Sequence, residues 1–321
     1  MPVSFLSNEQ RENYGRYVGA PSLHDLARYF HLDDKDHAVI AKKRGGHNRL
    51  GFAVQLCTVR YLGTFLDDPM AVPAEVLYTL IRQLRMDGNE SLAYGSGEQR
   101  WLHAAEIRVA YGYVEITEQQ ASFRLTRWLY ALCWTGTDQP SVLFERATTW
   151  LVMHKVLLPG CTTLERYVAR LCGRVEAKIW RSLADGIGKE QQAKLEGLVF
   201  TPVGSRSSPL DHLRTGPVTV SGPSLIQALL RLRSVRELDI KLPLATSIPA
   251  VRIAALARFA GAAKASAVLR LPNPRRWPHW LPSCVAWRPP RSTTRWRCSK
   301  ACCATCSAMR SKPTRKHVCA H

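Results

Sequence analysis

Apolar residues recur along most of this chain at intervals of three and four, the spacing that gathers side chains on one face of an α-helix. In PSLHDLARYF, Ser22 stands before Leu23, Leu26, Ala27 and Phe30 and reads as an N-cap. After a polar turn at Asp33 and Asp34, a second helix is expected through His37, Val39 and Ile40 into Lys42-Lys43-Arg44, where Gly45-Gly46 breaks it. NRLGFAVQLCTVRYLG holds Leu50, Val54, Cys57 and Tyr61 at helical spacing, with Gly63 where a C-terminal cap belongs. Pro73 suits the first turn of a helix through Val76, Leu80 and Leu84.

The rhythm continues downstream. Ser96 and Gln99 read as a capping box ahead of WLHAAEIRVAYGY. Thr117 is the expected start of a helix with a stripe of Leu125, Trp128, Leu129 and Leu132, and Ser141–Leu157 reads as one further helix. Thr162 and Glu165 read as a second capping box, opening a long helix through Tyr167, Val168, Leu171, Val175 and Ile179. Helices also fit Ser224–Arg233 and Pro249–Leu269. The period-two alternation of half-buried strands is nearly absent, so the expected fold class is all-α. The expected organisation is a helical domain over 1–90, a second over 91–202, a Gly/Ser/Pro-rich linker over 203–223, a helical segment over 224–274 that starts a truncated domain, and a poorly ordered tail over 275–321.

Charge changes this picture at one end only. The formal net charge of the 321 residues is +20. All 25 acids lie at or before Asp239, where they face 29 Lys and Arg; residues 241–321 hold the other 16 bases and no acid. The first three-quarters are therefore a mildly basic globular sequence, with enough apolar content for real cores. No apolar N-terminal segment reads as a signal peptide and no apolar run is long enough to span a membrane, which predicts a cytoplasmic protein. No phosphate-binding or dinucleotide-binding glycine pattern and no nucleophile motif is found, and His103 with Glu106 lacks the second histidine of a helical zinc-protease site. No cofactor is expected.

The basic residues give the sharper candidates. AKKRGGHNR sets Lys42, Lys43, Arg44, His47, Asn48 and Arg49 around a Gly-Gly turn at a helix boundary, where backbone N–H groups and cations can approach phosphates. The plain alternative is a solvated basic helix end favoured by the helix dipole. Arg11 and Arg16 near the N-terminus, and Arg60 on the helix after the turn, are weaker candidates; Arg206 and Arg214 lie in the linker. Trp101, Trp128, Trp134 and Trp150, set among Leu and Val, read as core rather than as base-stacking platforms.

MPVSFLSNEQRENYGRYVGAPS, LARYFHLDD and AKKRGGHNRLGFAVQLCTVRYLGTFLDDP resemble the N-terminal part of the Tn-three family transposases of replicative transposons. WLHAAEIRVAYGY, QPSVLFERATTWLVMHKVLLPGCTTLERYVARL and SPLDHLRTGPVTVSGPSLIQALLRL continue the resemblance in the same order, to about residue 274. The resemblance implies a multi-helical DNA-binding region that recognises terminal inverted repeats in double-stranded DNA. It also implies that the catalytic RNase-H-like domain, with its D-D-E triad and two metals, lies outside this chain, so that the chain is not itself an enzyme. Implied partners are the transposon ends and, for a fragment that modulates transposition, full-length transposase or a second copy. The other reading is a product with no independent role.

The tail departs from the rest. Residues 275–312 hold four Trp, five Cys and no acid. Trp has a single codon, so Trp277-Pro278-His279-Trp280 requires TGG CCN CAY TGG. Shifted by one nucleotide this encodes Leu, Val or Met, then Ala, a small residue and Leu, a helical pattern that the family shares. The expected cause is a frameshift close to Arg275 or Arg276, which makes the tail out-of-frame translation. The rival is a zinc site from Cys298, Cys302, Cys303 and Cys306 with His317 and Cys319. It offers one C-x-x-C pair and only a weak His-x-Cys for the other half, where structural zinc sites use two separated pairs.

Overall fold

The computed structural model describes residues 4–86, 94, 98–184, 188–205, 207–214, 221–237 and 248–262. Thirteen helices and two two-residue strands make up the regular structure there, as the all-α expectation required. By contact the chain divides into two compact units, Met1–Val175 and Glu176–His321.

The first unit is built round α4 (Gly46–Leu62). Every residue from Leu50 to Val59 is buried, so this helix has no solvent face in its middle and is packed from all sides. Glycine fixes both of its ends. Gly45 precedes it at φ +82° and Gly63 closes it in the left-handed region at φ +79°, donating to the Val59 carbonyl. Around it pack α2 (Leu23–Tyr29), α3 (Asp34–Ala41), α5 (Ala74–Leu84), α6 (Gln99–Tyr111) and α8 (Pro140–Met153). Phe30, Ile40, Phe52, Leu56, Leu80 and Ile107 are fully buried in the shared core.

The remaining elements of this unit are α1 (Asn8–Glu12), α7 (Gln119–Thr135), β1 (Val114–Glu115), β2 (Val156–Leu157) and the first part of α9 (Cys161–Ala184), which runs on past Val175. Helix α7 packs on α8 and meets α9 through a hydrogen bond between the Thr126 and Tyr167 hydroxyls and a 3.8 Å approach of the Cys133 and Cys172 sulfurs. The strands pair in parallel, Val114 opposite Val156 and Glu115 opposite Leu157.

Several local expectations hold and several do not. Ser22 caps α2 by accepting from the Asp25 N–H, and Asp33 caps α3 through a reciprocal pair with Asp36. Pro73 directly precedes α5 rather than lying inside its first turn. The residue before α7 is Glu118, not Thr117. The helix expected over Ser141–Leu157 stops at Met153, because Lys155 turns the backbone at φ +54° and Val156–Leu157 become β2. Thr162 and Glu165 do not form a capping box. The Gly160 carbonyl accepts from Thr163 and Leu164, and the Glu165 carboxylate is drawn into the interior. Ser96 and residues 263–269 lie outside the described residues.

The second unit contains α10 (Lys189–Val199), α11 (Pro209–Arg214), α12 (Gly222–Glu237) and α13 (Ala250–Ala262). Helix α11 lies inside the stretch read as a linker. Its Leu210 and Leu213 are buried, and Ser208 with Asp211 caps its start. Arg206, residues 238–247 and the tail fall outside the described residues.

Candidate nucleic-acid interface

The turn between α3 and α4 is shaped by its own backbone. Lys42 is the C-cap of α3, its N–H donating to the Val39 and Ile40 carbonyls. Gly45 then adopts a conformation that L side chains rarely take, and a Cβ there would stand 2.9 Å from the His47 ring. Asn48 Nδ2 donates to the Arg44 carbonyl at 2.8 Å and Arg49 Nε to the Lys43 carbonyl at 3.1 Å. The two side chains thus tie the turn together. No side chain caps the N-terminus of α4.

The predicted cations separate into two groups. Lys42 and Arg44 are exposed, and so is Arg16; none of the three makes a side-chain ion pair or hydrogen bond among the described residues. Arg49 is exposed too, with one nitrogen committed to the turn. Lys43 differs. Its ammonium pairs with Glu106 on α6 and lies 4.7 Å from the centre of the Phe52 ring, leaving its side chain 12% exposed.

Arg11 and Arg60 serve the fold. Arg11 donates to both oxygens of Glu165 at 2.8 Å, and the same carboxylate accepts from the Phe5 and Leu6 N–H groups. Glu165 is 2% exposed, so this cluster fastens the N-terminal segment to α9. Arg60 makes a two-pronged pair with Asp36, 2.8 and 2.7 Å, and Asp36 has no exposed surface. Tyr111 donates to the same carboxylate at 2.8 Å, and the Asp33 N–H donates at 3.1 Å. Burial pushes the Asp36 carboxyl up, but the Arg60, Tyr111 and Asp33 hydrogen bonds outweigh it and hold it below its ordinary value. Asp36 and Glu165 are not legible as partners in the sequence, since they lie 24 and 154 residues from the arginines they bind.

The tryptophans also divide. Trp150 is buried with Trp128 stacked beside it at 6.0 Å, as expected for core. Trp101 is 64% exposed with the Arg100 guanidinium 4.9 Å from its ring, which corrects its reading as core. Cys57 is fully buried, and burial pushes its thiol up to about 12, leaving it inert as a nucleophile. Among the described residues, no three His, Cys, Asp or Glu side chains gather where they can hold a metal, and no helix is long and apolar enough to cross a membrane. Arg206 and the Arg214 side chain are not among the described atoms.

The helical build of the first unit agrees with the resemblance found in the sequence. The chain belongs to the family described as Domain of unknown function (DUF4158), whose profile matches residues 5–171. It is homologous to Tn-three family transposases. It is 42% identical over 278 residues to the "Transposase for transposon gamma-delta" of Escherichia coli, covering 86% of this chain and 28% of that protein. It is 30% identical over 265 residues to the "Transposase for transposon Tn3926" of Escherichia coli and 30% identical over 240 residues to the "Transposase for transposon Tn501" of Pseudomonas aeruginosa. These matches cover 80% and 74% of this chain and 26% and 24% of the relatives. The chain thus spans about a quarter of the length of the curated relatives it matches.

Proposed function

We propose that this chain is a DNA-binding part of a transposase that recognises the terminal inverted repeats of its transposon in double-stranded DNA. The observation that carries the reading is the 42% identity to a transposase across 86% of the chain. The turn between α3 and α4 is its contact surface, with Lys42 and Arg44 open to solvent, Asn48 and Arg49 tying the turn together and the His47 ring close to Gly45. Phosphate contacts from such cations fix register and contribute affinity, while sequence is read by other side chains at base edges. Arg16 is a further phosphate contact. Arg11, Arg60 and Lys43 are outside this footprint, because each is held by a carboxylate of the fold.

The chain carries no strand cleavage of its own, since the D-D-E domain implied by the resemblance belongs to the part of the relatives that the match does not cover. The tail from about residue 275 is out-of-frame translation. The change in composition at that point supports this. Reading the nucleotides around codon 275 tests it: a helix-coding frame offset by one base is expected, and its absence would overturn the proposal.

A gel shift with the element's terminal repeat against scrambled duplex at physiological salt tests recognition. Tighter binding of the repeat is expected, and equal affinity would defeat it. The coverage of about a quarter of the relatives also favours a second role, a fragment that occupies transposon ends or pairs with full-length transposase and so lowers transposition. Co-expression with the full-length protein is expected to reduce transposition frequency; an unchanged frequency removes this role.

A further inference from the structure

Helix α9 carries Arg166, Arg170 and Arg174 at successive intervals of four, all exposed. The opposite face holds the buried stripe Leu164, Val168, Leu171 and Val175. Residues three and four apart are the ones whose side chains meet on a helix. At those distances from the three arginines stand Thr162, Thr163, Tyr167, Ala169, Leu171, Gly173, Ala177 and Lys178, with no acid among them. Glu165 points inward to Arg11, and no ion pair or hydrogen bond engages the side chains of the three arginines among the described residues.

This arrangement works against the helix. Like charges four apart repel, and no acid three or four residues away on the helix offsets them. Gly173, exposed between Arg170 and Arg174, weakens the helix further, although a Cβ there would meet nothing within 4 Å. Core packing therefore requires neither the glycine nor the arginines. What the row offers is a line of cations about 12 Å long with a bare backbone patch in it. Each strand of DNA carries one charge per about 3.4 Å of helix axis, so that length lies against roughly three phosphates.

We propose that Arg166, Arg170 and Arg174 form a second nucleic-acid contact, separate from the α3–α4 turn, which grips the phosphate backbone without reading sequence. The inference rests on the chain being DNA-binding, and the experiment separates the two. The full chain is titrated with a fluorescent 30-base-pair duplex of unrelated sequence by anisotropy, between 50 and 300 mM KCl. Arg166→Gln/Arg170→Gln/Arg174→Gln is expected to lower affinity about tenfold or more near 100 mM salt and to flatten the log–log salt slope by roughly 2.7, or 0.9 per lost contact. Its melting temperature is expected to stay the same or rise, as the repulsion is removed. An unchanged slope in the folded triple variant overturns the second contact while leaving the α3–α4 turn untouched. Duplex binding that depends on the row but not on Lys42 and Arg44 keeps the second contact and sinks the turn. No duplex binding by the unaltered chain sinks both. Should the triple variant not fold, Arg170→Gln alone is read the same way, with a slope change of roughly one expected and none overturning the proposal.

Discussion

Helix α4 starts beside Lys42, Arg44 and Arg49 and carries Arg60 in its last turn, and these two ends treat their cations differently. At the start, the glycine-fixed turn holds its shape through backbone carbonyls that accept from Asn48 and Arg49, so Lys42 and Arg44 remain in water. At the end, Arg60 lies over a carboxylate with no exposed surface and closes a network with Tyr111. Residue type does not separate an open cation from a structural one. The presence of a buried acid within reach does, because an unpaired buried carboxylate costs far more than an exposed guanidinium left in water.

Breaking the buried end gives the largest expected effect. Asp36→Ala leaves Arg60 and the Tyr111 hydroxyl without their acceptor and is expected to cost about 3–5 kcal/mol by urea denaturation. The pH dependence follows from the same network. Because the folded carboxyl titrates below its ordinary value near 4, the stabilisation is complete above that pH and is lost as pH falls through the folded value. The Asp36→Asn variant should lose this acid dependence; an identical acid limb in wild type and variant would show that Asp36 does not govern it.

Glu165→Gln probes the other anchored arginine. It keeps the shape but removes the charge that holds Arg11, which is 32% exposed. A loss of roughly 1–3 kcal/mol is expected, with earlier proteolytic release of residues before α1. Gly45→Ala addresses the turn itself, with strain from φ +82° and the His47 ring expected to cost about 1–2 kcal/mol. Its DNA affinity should fall with it if the turn is the contact surface, and a destabilised variant that still binds DNA normally would detach the turn from recognition. The smallest effect on stability sharpens the comparison most. Lys42→Ala/Arg44→Ala should shift unfolding by no more than about 0.5 kcal/mol while flattening the salt slope of DNA binding by roughly 1.8. An unchanged slope would place both residues outside the footprint.

Much of the helical architecture was legible in the chain because its signals are local. Ser22 and Gly63 terminate helices through atoms within four residues, and apolar spacing reports which face turns inward whatever packs on it. The failures also share a cause. Glu165 matched a capping box by spacing, but the Phe5 and Leu6 amides and Arg11 offered three donors in a buried place, and they took it. Val156–Leu157 continued an apolar helical run, but Val114–Glu115 supplied a strand partner beyond a left-handed turn at Lys155. Trp101 looked like core among its apolar neighbours, yet it stands largely in solvent with the Arg100 guanidinium beside its ring.

By itself, then, the sequence determined the helical class, the ends of several helices, the family likeness and the place where the basic turn falls. Those properties are set within a few residues or carried by long collinear similarity. The tertiary structure alone decided which cations are spent on the fold and which remain open, leaving Lys42 and Arg44 in solvent while Arg60 and Arg11 are locked. That outcome depends on where carboxylates distant in sequence are buried, and spacing along the chain holds no record of it.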